Sequence, residues 1–388
     1  MALPLKYNIS SVLVRWRSTI ATVASIGVVV AVFVALQGLA VGLEKSSGNT
    51  GDPRNLIIVR KGSTAESSSQ VTLEQYRLTQ YLPGVAKTAE GKPLATADVL
   101  VLISLPRKDL SGEANVLVRG VGPMGMELRP QVTLVSGRWF VSGKREVVVA
   151  RKLASRFANM QLGETFKSAG NELKIVGWFD GQRSAYDSEV WMDADETRSI
   201  FDRDFYSSII VRVDDTNRAA QVTARLEGDK RLPLQAKPEV DYYKSQTGTA
   251  VPIKWMARFL AGAMSIGAVF AAMNTMYAAV GARTREVGTL RVLGFRRRTL
   301  LLSFMIEGAI LSLFGGLLGC ALAYFYVNGK TTGTLNFQSF SEVVFEFRVT
   351  PELMGRGLIF AVVVGTIGSF LPALRAARLP VISSLKSI

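Results

Sequence analysis

The run from Gly281 to Gly319, GARTREVGTLRVLGFRRRTLLLSFMIEGAILSLFGGLLG, changes character once along its length. Up to Thr299 it is short and strongly charged, and from Leu300 it is apolar. A second apolar block, Trp255 to Val280, ends just before it. Each block is long enough for a helix rising about 1.5 Å per residue to cross about 30 Å of hydrocarbon, so the charged piece between them is held at a membrane surface. Two further blocks of this kind, Thr19 to Val41 and Leu358 to Leu374, lie toward the ends of the chain. The expected fold class is therefore an α-helical membrane protein with four transmembrane helices and a large extracytoplasmic α+β domain between the first and second.

Composition agrees. Of 388 residues, 48% are hydrophobic although 20% are charged, and the mean hydropathy is +0.23, values that require apolar residues to be gathered in blocks. The net charge of +15 suggests nucleic acid until it is located. Lys6, Arg15 and Arg17 precede the first span; Arg283, Arg285, Arg291, Arg296, Arg297 and Arg298 face Glu286 alone between the second and third; Arg375, Arg378 and Lys386 follow the fourth. These short pieces hold most of the excess, the positive-inside pattern that assigns them to the cytoplasm. Residues 44–254, with 30 basic and 26 acidic side chains, are near balance. No basic face remains for nucleic acid.

The chain then divides as follows. Residues 1–18 form a cytoplasmic amphipathic helix, with Leu5, Ile9, Val12, Leu13 and Trp16 on one face, and 19–43 the first span, too long for a cleavable signal core and so a retained anchor. An external domain follows over 44–254, the second span over 255–281, a cytoplasmic coupling helix over 282–299 and the third span over 300–326. A short external connection over 327–357, a fourth span over 358–374 and a cytoplasmic tail over 375–388 complete it. The sole cysteine, Cys320, lies in the third span, so no disulfide staples the external domain.

Within that domain Asn55 to Arg60, Val99 to Leu105, Asn115 to Gly120, Leu173 to Phe179 and Ser208 to Val213 read as strands. Thr72 to Tyr81 reads as a helix opened by Thr72 and Gln75 in a capping box. Val147 to Ala150 leads as a strand into a helix over Arg151 to Asn159, and Thr216 to Leu226 is a helix followed by a strand over Leu234 to Val240. Strand–helix–strand units at both ends imply two subdomains, one built from the ends and one inserted. Lys61 to Ser69, KGSTAESSS, has the composition of a mobile loop, and Ser245 to Pro252 reads as a loop before the second span.

With no histidine and one cysteine, the commonest general base and metal ligand are missing and thiolate metal sites are excluded. Gly329-Lys330-Thr331 resembles the end of a phosphate-binding loop, but Tyr324 stands where that loop needs its first glycine. Asp214 with Asp215 and Asp193 with Asp195 lie at predicted helix and strand ends, where acids serve as caps. No enzyme signature survives, and no metal or cofactor is expected on this chain.

Function therefore rests on the charged segment. Val287, Leu290, Val292, Leu293 and Phe295 interrupt its arginines, and Leu290 and Leu293 share a helical face with Glu286. Such a helix fits docking into a groove of another protein; its charge fits equally a topology anchor that binds anionic lipid. The sequence from Arg283 through Gly319 resembles the signature of the MacB/FtsX superfamily of ABC transporter permeases. Arg283, Glu286, Gly288, Leu293, Gly294, Glu307, Gly315, Gly316 and Gly319 match its pattern, while Phe295 and Thr289 depart from it. The tail LPALRAARLPVISSLKSI carries the family's Pro372, Ala376, Ala377, Pro380 and Leu385, and SGRWF…REVVVARKLASRF…LGETFK…LKIVGWFDG resembles the middle of a MacB-like periplasmic core.

The resemblance implies a bacterial inner-membrane permease, homodimeric or heterodimeric, with two copies of a cytoplasmic ABC ATPase that carry ATP and Mg. Arg283, Arg285, Glu286, Gly288, Leu290, Leu293 and Gly294 would couple to that ATPase. Gly315, Gly316 and Gly319 would pack the spans, with Glu307 the acid inside one. Work would reach the periplasmic domain by mechanotransmission. Efflux through an adaptor and outer-membrane duct ranks first, lipoprotein or lipid extraction as in LolC/LolE second, and FtsX-like activation of an external enzyme third, because the external segment is long for an FtsX domain.

Overall fold

A computed structural model describes residues 16–246, 250–336 and 339–378. The expected N-terminal amphipathic helix lies almost wholly outside the described residues, as do residues 379–388 of the tail. Contacts divide the chain into two compact units, one holding the long apolar helices and the other comprising Gly42–Val251 with Thr331–Glu346.

In chain order, helix α1 (Trp16–Gly48) leads to strand β1 (Asn55–Arg60) and helix α2 (Leu73–Thr79). Strands β2 (Ala95–Pro106), β3 (Glu113–Val121), β4 (Thr133–Gly137) and β5 (Glu146–Ala150) precede the one-turn helix α3 (Arg151–Ala154). After β6 (Thr165–Ser168), β7 (Asn171–Asp180) and β8 (Glu189–Asp193) come α4 (Ala194–Ile200), β9 (Ser208–Arg212) and α5 (Ala219–Gly228). Strand β10 (Leu234–Pro238) and α6 (Glu239–Gln246) close the domain's main stretch. The remainder is α7 (Ala250–Gly281), α8 (Thr284–Val292), α9 (Arg297–Val327), β11 (Thr331–Leu335), β12 (Glu342–Glu346) and α10 (Pro351–Arg378).

Among the described residues, four helices are long and apolar enough to cross a membrane: Thr19–Leu43, Arg258–Gly281, Arg297–Val327 and Pro351–Arg378, with mean hydropathies of 2.5, 1.5, 1.9 and 2.1. In lipid, helices associate through close packing rather than exclusion of water, so small residues belong where they cross. A Cβ at Gly315 would lie 2.9 Å from the Cβ of Ile26, and one at Gly319 would lie 2.5 Å from the carbonyl oxygen of Gly27, so α9 meets α1 backbone to backbone. Gly316 makes the same approach to Ala361 of α10. Phe33 and Phe360 stack at 4.4 Å. The fourth apolar helix extends past both ends of the expected 358–374 because Pro351 opens it at a position that needs no amide donor, and LPALRAAR continues its pattern.

The large domain is α/β. Ten strands form one sheet ordered β10-β1-β9-β2-β3-β8-β5-β7-β4, with β6 beside β7. Most pairs are antiparallel, while β3 with β8 and β5 with β7 run parallel. Period-two alternation sorts side chains between two cores. Leu56, Ile58, Val211, Val222 and Leu226 pack together in the part built from both ends of the segment. Val147, Val149, Phe179, Val190 and Trp191 pack in the inserted part. The two subdomains thus have separate cores but share a sheet.

Local signals explain much of this. Thr72 accepts from the Gln75 amide at 3.2 Å while Gln75 Oε1 accepts from the Thr72 amide at 3.0 Å, completing the capping box. Thr72→Ala is expected to lower domain stability by about 1 kcal/mol, read as a shifted denaturation midpoint of the full chain. Asp193 caps α4, and Asp215 accepts from the Asn217 amide, so both expected acid pairs have capping work. Three expectations need correction. The helix over Arg151–Asn159 stops at Ala154, and the chain turns so that Phe157 bridges Arg107 and Asn159 adopts φ +56°. The strand expected over Leu234–Val240 ends at Pro238, which has no amide to donate, and α6 begins with Glu239 and Asp241 in its first turn. The expected loop Ser245–Pro252 is the end of α6 and the start of α7, with 247–249 outside the described residues.

Candidate functional site

The charged segment is two pieces, not one helix over 282–299. Helix α8 stops because Leu293 is its last half-helical residue and Gly294 takes φ +91°, a conformation glycine adopts without strain. The Phe295 amide donates to the Leu290 carbonyl at 3.1 Å and the Gly294 amide to the Arg291 carbonyl at 3.2 Å. This is the paired closure of a Schellman motif. Arg297, Arg298 and Thr299 already belong to α9.

Burial sorts the expected coupling residues. Arg283 is 4% exposed and donates to Glu307 Oε2 at 2.9 Å; its Nε also lies 3.9 Å from Glu286. Glu307 is equally buried, so the acid within the third apolar helix is an ion-pair partner for the residue that opens α8. Val287 is buried with Met276, Val280, Leu300, Phe304 and Ala373, and Leu290 packs against that cluster. Gly288 faces inward too. Arg285, Glu286, Thr289 and Gly294 are exposed. So are Val292 and Leu293, at 61% and 67%. Sequence reasoning counted Leu293 but left Val292 out of the coupling set, although a second apolar residue beside Leu293 was the available signal.

The large domain holds a second concentration of charge. Arg119 of β3 is fully buried and donates to both oxygens of Glu189 at 2.8 Å. It also donates to Glu66 at 3.0 and 3.3 Å, to Asp98 at 3.3 Å and to the Tyr243 hydroxyl at 3.3 Å. Buried Arg129 grips Asp98 from the other side. Burial alone would lower the Arg119 pKa, but the Glu189 and Glu66 carboxylates outweigh it and hold the guanidinium well above its usual range. Burial pushes the Tyr243 and Tyr242 phenols up, so both stay protonated donors. Glu66 overturns the expectation of a mobile loop at Lys61–Ser69. It sits on a short 3₁₀ turn, 3% exposed, accepts from Ser208 at 2.6 Å, and its amide donates to the Tyr242 hydroxyl.

Over this cluster lies a cavity of ≈ 70 Å³ lined by Leu43, Leu100, Glu66, Arg119, Tyr243 and Ser341, among others.

The 327–357 connection also carries structure that sequence reasoning did not find. Strands β11 and β12 pair antiparallel from Thr331↔Glu346 to Leu335↔Glu342. Helix α1 approaches them closely at Gly42, where any Cβ would run into the Glu346 carbonyl oxygen.

Comparison with known proteins places both halves. Residues 19–229 match the MacB-like periplasmic core domain and residues 258–381 the FtsX-like permease C-terminal model. The chain belongs to the MacB/FtsX-type family of ABC transporter permeases. It is 24% identical over 403 residues to the uncharacterized ABC transporter permease YknZ of Bacillus subtilis, which it covers to 98%, as YknZ covers 98% of it. It is 25% identical over 292 residues to the macrolide export ATP-binding/permease protein MacB of Rhodopseudomonas palustris, matching 70% of this chain but spanning only 43% of that longer one. The solved extracellular domain of the ABC-type transporter YknZ superposes with a TM-score of 0.37 at 16% identity, over 47% of this chain and 99% of that domain. The periplasmic region of MacB from Actinobacillus actinomycetemcomitans gives 0.37 at 14%, over 50% and 92%. This MacB/FtsX-type permease is a membrane protein with an extracytoplasmic α/β domain, as its four apolar helices and its MacB-like core require.

Proposed function

We propose that this chain is the permease subunit of a MacB-like transporter, driven through α8 by a separate ABC ATPase that binds ATP and Mg. In this reading two permease copies and two ATPase copies assemble in a bacterial inner membrane, with both termini cytoplasmic and the large domain periplasmic. ATP-driven closure is passed to the periplasmic domains by mechanotransmission, for efflux of periplasmic substrates through an adaptor and outer-membrane duct.

One observation carries the coupling reading. Helix α8 is fastened on its inner side by Arg283 and Val287, yet presents Val292 and Leu293 at 61% and 67% exposure beside Arg285, Glu286 and Thr289. A segment that only held topology would need its arginines, not two apolar side chains displayed among them. Docking in a groove would bury both, and burying an aliphatic side chain is worth about 1.5–3 kcal/mol. Helix α8 lies within the residues that match the FtsX-like permease model, the chain aligns nearly end to end with an ABC transporter permease, and none of its 388 residues completes a phosphate-binding loop.

The test is Val292→Asp with Leu293→Asp in the full chain, co-purified with the ABC ATPase proposed as its partner. Binding is expected to weaken at least about tenfold, the equivalent of about 1.4 kcal/mol, and permease-dependent ATP turnover to fall with it. Unchanged binding together with unchanged turnover would sink the docking reading. A coupled complex that moves no soluble substrate would instead redirect the function toward lipid extraction or activation of an external enzyme.

A further inference from the structure

We infer that the β11–β12 hairpin is a transmission arm, with Glu342 and Glu346 its positioning residues, and that it drives the inserted subdomain separately from the subdomain built from the segment's ends. The inference rests on the mechanotransmission reading and names a route for it.

Alternate residues of a strand share one face. On β12 these are Glu342, Val344 and Glu346, spread over about 13 Å, and every one is gripped by the inserted subdomain. Glu342, 3% exposed, takes Arg107 on one oxygen and Arg156 on the other, each at 2.7 Å. Val344 is fully buried within the inserted subdomain's core. The Val344 amide donates to Ser188 Oγ at 2.7 Å, and that hydroxyl returns to the Val344 carbonyl at 3.3 Å. Glu346 takes Lys152 at 3.1 Å and Arg183 at 3.4 Å, and Lys152 is itself aimed by Asp187 at 2.8 Å. At the loop end, Asn115 donates to the Phe340 carbonyl at 3.1 Å.

A lone two-stranded hairpin is marginal in water, so this one keeps its shape by being held. Its base is closed as well: the Gly329 amide donates to the Phe347 carbonyl and the Phe347 amide to the Lys330 carbonyl, both at 3.0 Å. Strand β11 starts four residues after α9 ends, and α10 starts five after β12. Chain connectivity then separates the two subdomains. The end-built one is continuous with α1 through β1 and leads to α7 through β10 and α6. The inserted one has no such connection to any long apolar helix, and β12 gives it a non-covalent attachment to α9 and α10. Motion of α9 and α10 relative to α1 and α7 would therefore become motion of one subdomain relative to the other across their shared sheet.

The experiment uses the full chain with its ATPase in nanodiscs, comparing amide hydrogen exchange with ATP trapped and without nucleotide. In the parent, trapping is expected to alter exchange in the hairpin and, together with it, in residues 104–118 and 183–190. In Glu342→Gln with Glu346→Gln the hairpin should still respond while the response of those two domain segments falls at least about fivefold, a coupling loss at the lower end of the usual range. ATP turnover should persist. Domain segments that respond fully in the double variant would overturn the arm. A parent whose hairpin does not respond at all would overturn mechanotransmission itself, so the two failures are distinct. If the double variant is misfolded, Glu346→Gln alone, which leaves the Glu342 grip on Arg107 and Arg156 in place, should still lower the response of the two domain segments; an unchanged response in a folded Glu346→Gln overturns the arm too.

Discussion

Arg119→Met is expected to leave the large domain unfolded or nearly so, the largest effect of any single replacement in that domain. The guanidinium satisfies carboxylates from three separate places in the chain, Glu66, Asp98 and Glu189, all at 3% exposure or less. Removing one partner of a buried ion pair costs about 3–5 kcal/mol, because the other charge stays buried and uncompensated. Here Glu66 and Glu189 lose this cation at once while Asp98 keeps Arg129, and a domain of this kind has about 5–15 kcal/mol in total. Arg119→Lys should rescue little, since an ammonium cannot present the planar fork that reaches both Glu189 oxygens. Adding Glu66→Gln and Glu189→Gln to Arg119→Met removes the stranded charges and should recover about half or more of the loss. Denaturation of the full chain followed by the fluorescence of buried Trp191, which packs 4.8 Å from Phe179, measures all of these. A single Arg119→Met variant within about 1 kcal/mol of the parent would refute the account.

The same residues mark where sequence reading stops. Four apolar blocks, the positive pieces between them and the Arg283–Gly319 pattern were legible because their signals are local: length, composition and fixed spacing. The capping box at Thr72 was legible for that reason too. Glu66 was not, since KGSTAESSS has loop composition and the arginine that buries it lies 53 residues on. The hairpin was lost similarly. EVVFE has strand-forming residues, but its partner TTGTL has no apolar alternation, and Arg107 lies 235 residues from Glu342. Nor could spacing tell which side of α8 faces out. That depends on how α7, α9 and α10 bury Val287 and Leu290, so Arg283 and Leu293, alike in the motif, end with opposite roles.

Glu307→Ala should cost up to about 3–5 kcal/mol, because it removes the 2.9 Å ion-pair partner of a buried arginine. Arg283→Ala should cost a similar amount by removing the same contact from a buried carboxylate. The double replacement Arg283→Met with Glu307→Leu should be much less harmful than the sum, giving a coupling energy at the upper part of the about 0.5–3 kcal/mol range for residues in contact. Thermal unfolding of the purified full chain measures this cycle, and purely additive effects would show that the 2.9 Å contact holds nothing. The function should respond differently from stability. Arg283 opens α8, and Glu307 sits on α9 ten residues after that helix begins. The pair therefore ties the start of the proposed docking helix directly to a membrane span, whereas the chain's own link through Leu293 to Arg296 bends at the Gly294 turn and Val287 adds apolar packing against Leu300 and Phe304. An apolar pair restores packing but not direction, since two aliphatic side chains slide past each other where a charge-assisted bond fixes orientation. The double variant should accordingly bind the ATPase through Val292 and Leu293 as before, yet convert ATP turnover into work on the large domain less efficiently. If its stability and its coupling recover together, the pair is only a means of burying two charges.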